Sequence, residues 1–416
     1  MKSFDVIVVG GGFAGCAAAL AAARTGCSVL LVEKSNALGG AANNCLVNPY
    51  MNYRTRIDGR MTELSAGLFR QINDELRKLH GFLPGTDVFS EELLKLTLNR
   101  MLSASGVELL FHSLLIGCRM EGEQLRAVEL SGKSGRFTLE AQRFIDATGD
   151  ADLAFLAGCP THLGRDSDHL CQPMTLCFRV GGVDEALWRQ QRADANALYR
   201  RLKEEGKLRN VREDILVFPT PAPGVLHFNS TRVVRLNPTD PFDLTHAEIE
   251  AREQVYELFT LLKEHFSAFA NSTLLSTAAE IGVRESRMID GVYRLSGADL
   301  VACRRFEDSI ALGNYDIDIH NPEGSGTSHY YFKDGDYYTI PYRSLLPQNA
   351  DNLLAAGRCI SVDHEAQASI RIMPIVCCIG EAAGAAAGLS LKSGCFPAQL
   401  DVSMLQKHLL GQGAAL

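Results

Sequence analysis

Within its first fifteen residues the chain carries Gly10-x-Gly12-x-x-Gly15, directly after the β-branched run Val6-Ile7-Val8-Val9 and directly before the Ala-rich stretch 13–25. No other segment restricts the fold as tightly, because a strand must enter this turn and a helix must leave it. Gly10 permits the tight turn, Gly12 lets a pyrophosphate approach the backbone, and Gly15 lets the helix settle against the strand. The helix start then offers unpaired N–H groups, those of Phe13 and Ala14 among them, together with a partial positive charge. Gly26 ends the helix, residues 29–32 form a second strand, and Glu33 follows, 18 residues after Gly15. A carboxylate at that place accepts from both hydroxyls of an adenosine ribose and repels a 2′-phosphate. The expectation is a βαβ unit that binds a dinucleotide.

The turn alone does not separate NAD from FAD. Lys34 opens the segment Lys34-Ser35-Asn36-Ala37-Leu38-Gly39-Gly40-Ala41, which places a second glycine pair six and seven residues past Glu33. A plain NAD dehydrogenase has no need of that pair, whereas FAD stretches well beyond its pyrophosphate and requires a second loop passing close beneath it. Two further strand-ending turns agree: Asp146-Ala147-Thr148-Gly149-Asp150, and Ala355-Ala356-Gly357-Arg358. Noncovalent FAD is the expected cofactor, since Ala41-Ala42-Asn43-Asn44 offers no histidine for a covalent flavin link.

Further along lie Arg284-Glu285-Ser286-Arg287, Tyr315-Asp316-Ile317-Asp318-Ile319-His320, Tyr338-Thr339-Ile340-Pro341-Tyr342, and Gly357-Arg358-Cys359-Ile360-Ser361 running through Arg371 to Gly380-Glu381-Ala382-Ala383-Gly384. With these passages the sequence resembles the FAD-dependent oxidoreductases, the two-dinucleotide-binding-domain flavoproteins related to the fumarate reductase and succinate dehydrogenase flavoprotein group. The resemblance covers nearly the whole chain. It implies an α/β fold, a Rossmann-like FAD-binding domain with an inserted α+β cap or substrate domain, and a reaction poorly defined across the family. Composition shifts put the FAD-binding domain at 1–158 and 346–416 and the cap at 159–345. The resemblance also implies that the helix opened by Ile372-Met373-Pro374 points its positive end at the flavin, with Ala382 to Ala387 packed against the βαβ unit.

Arg371, His364, His320, Arg284 and Tyr338 are the polar residues expected near the flavin. Arginine fixes a carboxylate or steadies developing negative charge, and histidine exchanges protons near neutral pH. Arg371 and His364 stand out because they link the Gly357 turn to the flavin-facing helix. Arg284 and Glu285 are alternatively an internal ion pair. The expected reaction is hydride exchange between FAD and a small-molecule substrate; the alternative is an electron-transfer subunit without its own substrate pocket.

The remaining features narrow the possibilities by exclusion. No Cys-x-x-Cys occurs, so a dithiol reductase is not expected, and Cys45 is the one thiol near the second glycine loop. Neither metal-ligand nor iron–sulfur spacing appears. Gly324-Ser325-Gly326-Thr327-Ser328-His329 lacks a third glycine and a preceding strand, so no dedicated NAD(P)H domain is expected; electrons would pass through the substrate, a transient nicotinamide or a protein partner. A formal charge of −8 over 416 residues, with no basic patch, argues against nucleic acid. Residues 372–391 are apolar but hold Pro374 and Glu381, and 14–23 is too short, so no membrane span is expected. With 12 scattered cysteines and no secretory leader, a reduced cytoplasmic protein is the expectation.

Overall fold

The computed structural model describes residues 3–416. Its main sheet has seven strands. β1 (Ser3–Val9) lies at the centre of a parallel set, flanked by β2 (Val29–Val32) on one side and by strand Gly135–Asp146 on the other. Glu108–Leu110 extends the sheet beyond β2, and Leu353–Ala355 joins it beside the end of Gly135–Asp146. Strands 6–9 and 29–32 are buried on both faces, as their continuous Val, Ile and Leu runs require of a covered parallel sheet.

The alternating segments 125–130 and 137–139 read as an antiparallel meander ahead of a strand at 143–147, and the meander is present as Leu114–Glu121, Gln124–Gly132 and the first half of Gly135–Asp146. The strand at 143 is not a separate element: it is the second half of Gly135–Asp146, which runs parallel to β1. Ser90 caps helix Glu91–Ala104, accepting from the Leu93 N–H. The apolar spacing from Gly59 to His80 is that of a helix, but the structure realises only half of it. Gly59 instead forms the turn of the hairpin Arg54–Ile57/Arg60–Glu63, and the helix is confined to Leu68–Lys78.

Helix α1 (Phe13–Arg24) and helix Met373–Lys392 cross in backbone contact. The close approach is made by Gly380, Gly384 and Gly388, one turn apart. A Cβ at Gly380 would lie 2.0 Å from the Ala14 carbonyl oxygen, one at Gly384 2.0 Å from that of Ala18, and one at Gly388 1.9 Å from Thr25 Oγ1. The glycines, more than the intervening alanines, set the helix separation. Met373–Lys392 is long and apolar enough to cross a membrane, yet 89% of its most apolar stretch is buried within the fold.

The span 159–345 divides between two apolar cores. Residues from Met174 to Ile281 build a core of their own around Phe178, Phe228, Trp188 and Phe269, supported by helices Glu185–Glu204 and Pro241–His265. Residues from Met288 to Leu346 pack instead into the core that holds β1 and α1.

Candidate active site

Around the first glycine turn the backbone closes every direction but one. A Cβ on Gly10 would sit 2.3 Å from the Ala147 carbonyl oxygen, and one on Gly15 1.8 Å from that of Gly10. At Gly12 the same atom would meet nothing within 4 Å. Gly12 is also the N-cap of α1 and supplies no side-chain cap, so the first N–H groups of the helix face the open direction. The second glycine pair abuts the first: Gly39 N–H donates to the Gly11 carbonyl at 2.8 Å, and a Cβ on Gly40 would fall 2.9 Å from Gly12 Cα. Glu33 accepts from Gly11 N–H at 2.6 Å on one carboxylate oxygen and from Ser35 N–H at 2.8 Å on the other. Its remaining lone pairs are free to take ribose hydroxyls. Open space over an uncapped helix start, with a fixed carboxylate beside it, fits a dinucleotide pyrophosphate and ribose.

Among the other expected cofactor residues the structure separates backbone from side-chain contributions. The Phe13 ring turns inward, edge-on to Tyr50 with centroids 5.8 Å apart, so only its N–H faces the turn. Ala14 is wedged between Gly357 and Gly380. Ala41 accepts from Val47 N–H, and Lys34 reaches across to Glu280 at 3.4 Å. Ala147 N–H donates to the Val9 carbonyl. Thr148 is tied back to Asp146 by its N–H at 3.0 Å and its hydroxyl at 2.7 Å. Gly149 has φ +83°, and the Arg358 guanidinium lies over it, 2.7 Å from where a Cβ would be. Arg358 donates to Asp150 at 2.6 Å. Burial would raise the Asp150 carboxyl, but Arg358 and Ser286 outweigh it and hold it below its ordinary value. Ile372 caps helix Met373–Lys392 without a side-chain bond, and Met373 and Pro374 occupy its first turn.

Arg371 sits just before that uncapped start. Its guanidinium lies 3.5 Å from Asp318 Oδ2 and donates to the Asp318 carbonyl at 3.3 Å. Asp318, on hairpin Ile317–His320/Thr327–Tyr330, also faces His320 Nε2 at 3.3 Å and accepts from Tyr315 OH at 2.9 Å. Burial opposes its charge, but His320, Arg371 and Tyr315 together keep the carboxylate ionised far below the usual range. Arg232, fully buried, donates to His320 Nδ1 at 2.9 Å. A guanidinium only donates, so Nδ1 is bare and the His320 proton resides on Nε2. Burial and the nearby Arg284 push His320 well below its ordinary value, and it stays neutral.

His364 behaves in the opposite way. It opens helix His364–Ile370, and its Nδ1 lies 2.8 Å from Glu285 Oε1, whose other oxygen accepts from Gln172 N–H. Burial would lower the imidazole, but Glu285 overrides it and raises it above its ordinary value. The alternative Arg284–Glu285 ion pair is therefore not formed: Glu285 belongs to His364, and Arg284 donates to the Pro173 carbonyl and Thr175 Oγ1, both at 2.6 Å. Tyr338 is withdrawn into the core and bonds Ser369. Cys45 is buried against the Ile281 carbonyl, and burial pushes its thiol up to about 12, which removes it as a nucleophile. Among the described residues Asp316, Asp318 and His329 have ligand atoms within 4.8 Å of one another; His329 Nδ1 already meets Asp316 at 2.6 Å, and the positive charge of Arg371 opposes a cation there.

Sequence reading missed Asp318 and Arg232 and gave Glu285 the wrong partner. Asp318 lies inside a quoted motif and could have been taken with its neighbours. Arg232 lies in an irregular segment and meets His320 only through tertiary packing.

A family model described as FAD dependent oxidoreductase matches residues 5–409. The chain belongs to that family. This oxidoreductase is an enzyme and its cofactor is FAD. Curated relatives match over short stretches. The tRNA uridine 5-carboxymethylaminomethyl modification enzyme of Geotalea uraniireducens is 72% identical over 32 residues, 8% of this chain and 5% of that protein. The vinyl phenol reductase of Lactiplantibacillus plantarum is 58% identical over 41 residues, 10% and 8% respectively. The oxidoreductase thus spans under a tenth of the length of these two relatives. Among solved structures, a geranylgeranyl bacteriochlorophyll reductase-like protein from Thermoplasma acidophilum is 14% identical with TM-score 0.48, covering 100% of this chain and 85% of that one. The flavin-dependent brominase Bmp2 is 13% identical with TM-score 0.49, covering 99% and 83%.

Proposed function

We propose that this FAD-dependent oxidoreductase exchanges a hydride with a small-molecule substrate, in a crevice between the FAD-binding part (1–158 and 346–416) and a cap. Within the compositionally distinct span 159–345, the cap is best taken as 174–281, which has its own core. The observation that carries the reading is the position of Arg371: it is fixed to the Asp318 hairpin and lies two residues before the uncapped helix Met373–Lys392. Polar chemistry and a positively polarised helix end therefore adjoin each other.

Gly10, Gly12, Gly15, Gly39, Gly40, Gly149 and Gly357 shape the cofactor cradle, the N–H groups of Phe13 and Ala14 meet the phosphates, and Glu33 takes the ribose. FAD, when bound, supplies a ring that accepts or donates a hydride. Arg371 orients an anionic substrate group and steadies negative charge. His364, raised above its ordinary value by Glu285 at Nδ1, keeps Nε2 free to deliver or accept a proton. His320, neutral, orients Asp318. Electrons are exchanged with the outside by a transient nicotinamide or a protein partner.

The test is an anaerobic screen of alcohols, hydroxy acids, amines and reduced nicotinamides, following bleaching of the visible flavin band of the holoenzyme. Reduction by one class, slowed at least tenfold in Arg371→Lys and His364→Gln, supports the reading. A holoenzyme bleached only by a protein donor would replace it with that of an electron-transfer subunit.

A further inference from the structure

Arg212, Arg232, Arg284 and Arg371 converge on the Asp318 hairpin, where among the described residues Asp316 is taken by His329, at 2.6 Å, and two further carboxylates answer the arginines. Glu213 is taken by Arg232, at 2.8 Å, and Asp318 by Arg371. Arg284 finds only neutral acceptors, the Pro173 carbonyl and Thr175 Oγ1. Arg212 finds less. It is 8% exposed, and its Nε and Nη1 are buried without any hydrogen-bond partner. Arg371 Nε is likewise buried and unpartnered.

The backbone holds Arg212 firmly in place. Asn210 Oδ1 accepts its N–H at 3.0 Å, while Tyr199 OH and Lys203 Nζ donate to its carbonyl at 3.3 and 3.0 Å. The residue is thus anchored through its backbone, and its guanidinium is buried, not a surface side chain caught in passing. Burial, with the charges of Arg371, Arg212 and Arg232, lowers Arg284 to about 9; burial, then Arg232, lowers Arg212 too. Each lies within electrostatic reach of its neighbours. A buried guanidinium with vacant donors and no counter-charge is strongly unfavourable unless an acceptor arrives. Among the described residues Arg212 and Arg284 have no carboxylate partner, which leaves two guanidinium charges to be met.

We propose that Arg212, Arg284 and Arg371 form the recognition site for a small dianion bearing oxyanion groups, the charged end of this enzyme's substrate. The planar guanidinium forks offer paired N–H donors that match carboxylate or phosphate oxygens. The inference rests on the crevice assigned above and names the class of molecule that enters it.

The experiment measures anion binding to the oxidised holoenzyme by calorimetry and thermal shift, in excess FAD so that the phosphate turn stays occupied. The probes are malonate, inorganic phosphate and, as a monoanion, acetate. Malonate or phosphate is expected to bind at least tenfold more tightly than acetate, and which of the two binds better tells carboxylate from phosphate. Arg212→Gln and Arg284→Gln should each weaken the preferred dianion at least tenfold, while Arg209→Gln, an exposed arginine outside the cluster, leaves it unchanged.

Without ligand, Arg212→Gln should melt no lower than the parent, because it removes an unanswered buried charge. If it does not fold, Arg212→Lys, which keeps the charge and loses the fork, should bind the dianion more weakly. Dianions binding no tighter than acetate, or an Arg212→Gln that melts lower while binding them unchanged, overturns the proposal. Flavin bleaching without dianion binding overturns this inference and leaves hydride exchange standing; dianion binding with no small-molecule reductant or oxidant does the reverse.

Discussion

Replacing Gly384 by alanine tests whether backbone contact between α1 and helix Met373–Lys392 holds the cofactor domain together. The new Cβ would lie 2.0 Å from the Ala18 carbonyl oxygen, whereas ordinary contact begins near 3.4 Å. The helices must part by about 1.4 Å or the backbone must bend, on the difference of those two distances. Overpacking of a filled core costs roughly 1–3 kcal/mol, occasionally more. Alanine's better helix propensity returns up to about 1 kcal/mol, so the net loss is about 1–2 kcal/mol. With an unfolding entropy near 2.1 cal/mol/K per residue over 416 residues, that is a fall in Tm of roughly 1–2 °C. Scanning calorimetry resolves it, and Gly380→Ala/Gly384→Ala should roughly double it. Gly411→Ala, at a helical glycine whose Cβ would meet nothing within 4 Å, is the control and should be neutral or slightly stabilising. Gly380 presses on Ala14, in the first turn of α1, and Gly384 on Ala18, one turn further. Gly380→Ala should therefore weaken FAD more, by about tenfold or ~1.4 kcal/mol. A Gly384→Ala protein as stable as the parent, or more so, would refute the packing account.

Other substitutions probe the remaining roles. Glu33→Gln keeps the shape but loses the charged acceptor for the ribose, and should weaken FAD by about 1.5–3 kcal/mol, read by fluorescence titration. Glu381, which caps Leu68 N–H from within helix Met373–Lys392, is pushed by burial from 4.5 up to about 7. The folded protein then holds the proton more tightly than the unfolded chain. Its contribution to stability is complete below about pH 4.5 and falls as pH rises to about 7, by up to ~3 kcal/mol. Urea unfolding at pH 5 and pH 8 should show that loss in the parent and not in Glu381→Gln; parallel profiles would exclude it. Glu285→Gln should lower the His364 titration midpoint, visible by NMR, while leaving His320 unmoved.

The parts of the molecule that were legible beforehand are those where backbone geometry dictates residue type. Gly10 and Gly15 stand where no side chain fits, Gly12 leaves open the space over the helix start, and the run from Val6 to Val9 reads as a buried strand. At 59–80 apolar spacing misled, because Met61 and Leu64 continue the period of the true helix while sitting in a hairpin and its exit. The helix contact was anticipated but spread over Ala382 to Ala387, Gly384 among them, since composition does not reveal which small residue faces the partner. The polar site was half visible. His320, Arg284, Arg371 and His364 stand in recognisable passages, but their surroundings depend on tertiary packing: Asp318 shares a strand with His320, whereas Asp318 meets Arg371, Arg232 meets His320 and Glu285 meets His364 across separate elements. Arg212 carries no pattern at all, because its significance lies in what fails to surround it.

The meeting of α1 with helix Met373–Lys392 also imposes an order on biosynthesis. Some 368 residues separate the end of the first helix from the end of the second, and a ribosome adding about 5–20 residues per second needs roughly 20–70 s to bridge them. For all that time the nascent chain displays an Ala-rich helix whose glycine-lined partner does not yet exist. Apolar surface on α1 must then stay shielded until translation delivers its cover.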